Sequence, residues 1–367
     1  MDAELRTIPG AVVDERGLQH SGSPLTEQRA LAEGGALAIL DDRAVIAVGG
    51  PDRLTWLDSI TSQALARLEP GVSTELLVLD PQGHVEHAAG VLDDGETAWL
   101  LVDRDRAAGL LAWLLKMRFR LRVEPWDASA EYAVVGGTPD ALAGVAVASP
   151  AGTPLLWRDP WPGVSDGGVG YADDADHPGS ARHWAEAVVA CAERSRLIAE
   201  AAAGERAIAG LLAVDALRIA AWRPSAAELD ERSIPHELDW LRTAVHLDKG
   251  CYRGQETVAK VHNLGHPPRR LVALQLDGSD SVLPAPGAEV RVGDDVIGTV
   301  RAAAVHYEDG PIALAVVRRA APVDVDYVVD TADGPVAASP RVVVPAEAGA
   351  AASVPRLPRL NRRPPAS

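Results

Sequence analysis

Residue types that this chain uses sparingly converge in one short stretch. HLDKGCYRGQETVAKVHNLGH, residues 246–266, contains Cys251, one of only two cysteines, together with Lys249 and Lys260, two of the three lysines in a chain that otherwise draws its cations from arginine. Gly250 and Gly254 bracket a short loop, and the run from Gln255 to Val261 has helix-forming composition with a Glu256/Lys260 pair at i,i+4 spacing. Cys251 therefore falls just ahead of a helix N-terminus. Free backbone N–H groups there favour an anion, and Lys249 and Arg253 add positive charge, so the expected chemistry is that of a readily ionised, nucleophilic thiol. Glycine on both sides leaves the backbone open to a ligand. Tyr252 is placed to stack or hydrogen-bond, or simply to pack as a wall. Gln255 and Glu256 either cap the helix and touch a ligand or form a solvated face.

The bland alternative for any cysteine is inert packing. Polar and glycine neighbours argue against it at Cys251. Cys191, set among Val188, Val189, Ala190 and Ala192 in an apolar helical pattern, is expected to be core. Two thiols cannot by themselves hold a four-cysteine iron–sulfur cluster, and the ten histidines show no zinc-type spacing.

The elements that must position this loop are legible as alternating patterns. A helix is expected at 26–33, a strand at 44–48, and an amphipathic helix after Pro51 in PDRLTWLDSITSQAL. Period-two runs at 75–79, 85–92 and 97–102, broken at Pro81-Gln82-Gly83 and Asp94-Gly95, predict an antiparallel meander. Helix returns at 104–117, with a strand at 118–123. A loop-rich stretch at 149–180 precedes a helix from Ala181 to about Ala203. Beyond Pro267-Pro268, short strands at 271–276, 289–292, 296–300, 311–317 and 323–329 predict a small β-barrel or sandwich. The fold class is α+β, with residues 1–25 as an extension, a main body at 26–266, a barrel at 267–345 and a disordered tail at 346–367.

Bulk properties exclude some functions. A formal net charge of -17 disfavours nonspecific contact with nucleic acid or anionic membrane, and no run of apolar residues is long enough for a transmembrane helix. Scattered cysteines and an acidic N-terminus without a signal-peptide pattern lead to the expectation of a cytoplasmic protein.

Lys249-Gly250-Cys251-Tyr252-Arg253-Gly254-Gln255-Glu256 resembles the K-G-C-Y-x-G-Q-E signature of YgfZ-type proteins, relatives of the glycine-cleavage aminomethyltransferases. GPDRLTWLDSITSQAL is similar to the strand–turn–helix opening of that fold, LDPQGHV to its hairpin, and ALRIAAWRP with IPHEL to the strand and acidic loop ahead of the signature. The resemblance runs from about Leu31 to Val344. It implies two α+β subdomains around a central channel able to hold tetrahydrofolate, followed by a β-barrel. It also implies a role in assembly or repair of iron–sulfur proteins, including tRNA-thiolating enzymes, that depends on the signature cysteine. The partners it implies are iron–sulfur clients or assembly factors and a small-molecule folate. Arg218 and Arg223 are candidates for the folate's anionic tail. The chain departs from the transferase pattern at Glu86-His87, where transferases carry an acid pair, and at Ala220, where they carry glutamate. Folate-dependent aminomethyl transfer, with Glu86 as the acid, is the alternative. A cysteine hydrolase pairing Cys251 with a distant histidine such as His236 is a second, and a folate-binding module without chemistry a third.

Overall fold

The computed structural model describes residues 2–172, 177–278 and 282–352. The meander folds as expected. Strands Arg43–Gly49, Ser73–Leu79, Val85–Asp93, Thr97–Asp103 and Glu124–Asp127 make one antiparallel sheet, with Arg43–Gly49 between the third strand of the meander and Glu124–Asp127. Its hairpins turn on Gly83 and Gly95, both at positive φ. Alternation then sorts the side chains. Ala44, Ile46 and Val48 face helices Arg53–Ile60 and Arg104–Met117, while Val45, Ala47, Leu92 and Trp99 face inward.

The inward face meets a second sheet in the order Leu156–Arg158, Ala185–Ala190, Tyr132–Gly137, Leu37–Ile39, Ile208–Ala209, the last pair being parallel. Trp157, Trp184, Val134 and Val188 complete the shared core. Beyond this sheet lies helix Cys191–Ala202. The six strands Arg269–Leu276, Glu289–Val292, Asp295–His306, Gly310–Arg318, Tyr327–Thr331 and Gly334–Val342 close into a barrel. The barrel joins the body through a core of Leu271, Leu314 and Val316 with Leu77, Leu79, Trp240, Tyr252 and Val258.

Several local expectations differ from the structure. Leu5, Ile8 and Leu18 are buried under the second sheet, so the segment expected to be an extension packs on the body there. Residues 118–123 form a bend, because Phe119 is left-handed at φ +46°, and the strand starts at Glu124. The stretch read as one helix from Ala181 is the strand Ala185–Ala190 followed by a helix, since a short apolar run buried on both faces has no distinguishing period. Cys191 is consequently the first helical residue and half-buried, not core. Ile219 lies in helix Leu211–Ala220, which ends at Trp222 with φ +55°, where a strand was expected. The 149–180 region carries the buried Trp157 and Trp161. In the tail, Ala348 is buried and the amides of Ala351 and Ala352 donate to the carbonyls of His262 and Asn263; residues 353–367 lie outside the described residues.

Candidate functional site

The signature loop is fastened at three points, and Cys251 is exposed between them. Helix Gln255–Leu264 begins after Gly254, whose φ of +85° suits glycine alone. A Cβ at Gly254 would lie 2.6 Å from the Asp80 carbonyl oxygen and 2.9 Å from Leu79 Cβ. The reverse side of the contact is equally tight, with Gly83 facing Thr257 Cβ at 2.9 Å from an added Cβ. Gly254 thus serves a backbone-to-backbone contact between the helix start and the 80–84 hairpin, not the approach of a ligand. Gly250 differs, having nothing within 4 Å of its would-be Cβ.

Lys249 is the second fastening. Its side chain is only 3% exposed, and the ammonium donates to the carbonyls of Asp58, Thr61 (2.9 Å) and Gln63 (2.7 Å), with Asp58 Oδ1 at 3.6 Å. Burial pushes this ammonium down to about 8, against the pull of Asp58. The third is Arg253, which grips Glu86 at 2.6 and 3.2 Å. Val78 pairs with His87 and Leu79 with Val85, so Glu86 is the extra residue of a β-bulge and is re-aimed toward the loop. Both cations assigned to the thiol are therefore committed to other partners. The side-chain amide of Gln255 donates to the Lys249 carbonyl, Glu256 is exposed, and Tyr252 is buried against the barrel with the Lys249 ammonium 5.2 Å from its ring centroid. Burial raises the Tyr252 phenol, whose oxygen has no hydrogen-bond partner among the described residues.

Arg218 and Arg223 go elsewhere. They line a cavity of about 1070 Å³ between the two sheets and the barrel, to which none of residues 249–256 and not Glu86 contributes. Arg223 donates to Glu75 at 2.6 Å and to Asp159, which also binds Arg182 at 3.0 Å. Glu75 in turn accepts from Trp240 Nε1 at 3.1 Å and from the Thr243 hydroxyl. Arg218 pairs with Glu228 at 2.9 Å, and Arg43 with Asp103 and Glu186. Three atoms of this lining are buried without a partner among the described residues, Arg223 Nη1, Glu186 Oε2 and Arg301 Nε. Glu75, Asp159, Glu186, Trp157, Trp184 and Trp240 escaped the sequence reading. The available signal was a carboxylate inside an apolar strand, as in STELLVL and WAEAVVA.

Histidines do not join Cys251. The thiol has no hydrogen-bond partner among the described residues, and His236 is buried with Nε2 3.0 Å from the Val258 carbonyl. His262 Nδ1 lies 3.1 Å from the Tyr171 hydroxyl. The described residues offer no cluster of three or more acidic, histidine or cysteine ligands for a metal.

No protein-family model matches the chain. By sequence it is 26% identical over 261 residues to the mitochondrial iron–sulfur cluster assembly factor IBA57 homolog of Mycosarcoma maydis, covering 65% of this chain and 56% of that protein. The chain thus spans about half the length of the curated relative it matches. By structure it superposes on the glycine cleavage system aminomethyltransferase T of Bartonella henselae with a TM-score of 0.68 and 19% identity, over 90% of this chain and 92% of that one. The chain has the aminomethyltransferase fold. Superposition carries the fold, and the sequence match is a similarity to an iron–sulfur cluster assembly factor over part of its length. In this chain the cavity and the signature thiol are separate features, joined through the 73–93 hairpin, which supplies Glu75 to one and Glu86 to the other.

Proposed function

We propose that this chain is an accessory factor in the assembly or repair of iron–sulfur proteins, tRNA-thiolating enzymes among them, and that it acts through Cys251. One observation carries the reading: an exposed cysteine sits on a loop held by Lys249, Arg253 and Gly254, an investment of buried contacts that a packing thiol does not need. Its partners are iron–sulfur clients or assembly factors, consistent with the named role of the Mycosarcoma maydis relative. Unpaired cysteines favour a reducing compartment, the cytosol being our assignment.

The central cavity suits a folate. Its size matches a small-molecule site, three tryptophans offer stacking faces, and Glu186 Oε2 and Arg223 Nη1 stand as an acceptor and a donor without partners. Glu75, Asp159 and Glu186 would meet the donor groups of the pterin, and Arg218 and Arg223 the anionic tail. Bound tetrahydrofolate supplies a one-carbon carrier. The acid proposed for aminomethyl transfer, Glu86, is held by Arg253 outside the cavity, which favours a carrier or sensor role for the ligand over methylene transfer. The test is paired. In cells depleted of the native gene, the Cys251→Ser chain should fail to restore iron–sulfur enzyme activities and tRNA thiolation that the unaltered chain restores. By calorimetry, tetrahydrofolate should bind the unaltered and Cys251→Ser chains alike, and Glu186→Gln weakly. Full restoration by Cys251→Ser overturns the reading.

A further inference from the structure

A second built feature lies on the first subdomain, away from the cavity. Phe119, the only phenylalanine in the chain, is 80% exposed and holds a left-handed φ of +46°. Bulky side chains avoid that conformation, and a strained, exposed aromatic residue has no packing contact to repay it. Its neighbours extend the patch. Leu115 and Leu121 are exposed, and so are Lys116, Arg118 and Arg120, none of which has an ion-pair partner among the described residues. No acid occurs between Asp105 and Glu124, in a chain carrying 52 acidic residues.

The base of this knob is fastened while its tip is bare. Trp56 Nε1 donates to the Met117 carbonyl at 3.1 Å, and Arg122 binds Asp52 through its amide and its guanidinium at 2.8 to 3.1 Å. Gly50, at φ +100°, lets the chain pass where a Cβ would lie 2.2 Å from the Arg122 carbonyl oxygen. Asp52 stands immediately before helix Arg53–Ile60, and Lys249 is bound at that helix's far end through Asp58 and Thr61. Eight residues of helix span about 12 Å. One short helix therefore carries the knob at one end and the Cys251 loop at the other.

We propose that Phe119 and its cations are the docking knob for an acidic protein partner, presented to the Cys251 loop at the other end of the same helix; this rests on the reading of Cys251 given above. The partner offers an apolar pocket for the phenyl ring with carboxylates at its rim, facing Lys116, Arg118 and Arg120. A membrane is the poorer occupant, since one ring is a weak anchor and the net charge of -17 opposes a broad anionic surface.

Two variants test this: Phe119→Asn, which suits the left-handed backbone, and Arg118→Glu with Arg120→Glu. Phe119→Asn should raise Tm by roughly 1–2 °C by relieving strain and leave Cys251 alkylation unchanged. Both variants should nonetheless lower restored iron–sulfur enzyme activities by about tenfold or more, as loss of a central anchor does. Benzoylphenylalanine at position 119 should cross-link in cells to a protein, with a yield that falls when Arg118 and Arg120 are reversed. Wild-type activities from both variants overturn the knob while Cys251→Ser still abolishes them; silence of Cys251→Ser overturns the underlying reading instead. Flotation with vesicles of equal parts phosphatidylcholine and phosphatidylglycerol, lost in Phe119→Asn, would also overturn the protein partner in favour of lipid.

Discussion

The two glycines that flank Cys251 should respond to alanine in opposite ways. At Gly254 the left-handed backbone alone costs an L-residue roughly 1–2 kcal/mol. The added methyl lies 2.6 Å from the Asp80 carbonyl oxygen and 2.9 Å from Leu79 Cβ, so backbone must move, at about 1–3 kcal/mol. Gly254→Ala should therefore destabilise by about 2–5 kcal/mol in urea titrations. Because the displaced parts are the hairpin and the helix start, the loop should loosen and the Cys251 alkylation rate should change with it. Gly250→Ala meets no atom within 4 Å and has ordinary φ, so its effect should stay within about 0.5 kcal/mol. Equal effects at the two positions, or a neutral Gly254→Ala, would refute the claim that the hairpin holds the loop.

Three further outcomes follow from buried charge. His236 is held neutral, its pKa pushed from 6.5 down to about 4 by burial. The unfolded chain takes up this proton below about 6.5 while the fold resists until about 4, so stability should be lost as pH falls through that window, by about 3 kcal/mol in all. His236→Gln should flatten that part of the pH–stability curve. Lys249 acts in the same sense on the alkaline side: with a folded value of about 8 against 10.5 unfolded, stability should rise with pH between those limits relative to Lys249→Met. Arg223→Met leaves Glu75 and Asp159 buried without their shared cation, and should cost about 3–5 kcal/mol by urea titration and weaken the folate binding proposed above.

What could be read beforehand followed from local chemistry. The meander was legible because Gly83 and Gly95 sit where two-faced strands must turn, and the barrel because Pro267-Pro268 breaks the pattern before short strands begin. Cys251 stood out by its polar surroundings, which the structure places at the surface. The roles of its neighbours were not legible. Lys249 and Arg253 are near the thiol in sequence, yet their charges are taken by Asp58, Thr61, Gln63 and Glu86, partners up to 191 residues away that only the tertiary fold supplies. The cavity acids were missed for the same reason. Glu75 and Glu186 lie on separate sheets, and nothing in either strand reveals that they face one cavity with Arg223 and Arg43.

The most direct measurement compares the two thiols in one cell background. With chain levels matched, iron–sulfur enzyme activity should fall to that of the depleted cells for Cys251→Ser and remain at the unaltered level for Cys191→Ser. Normal activity from Cys251→Ser, or equal loss from both, would contradict the account.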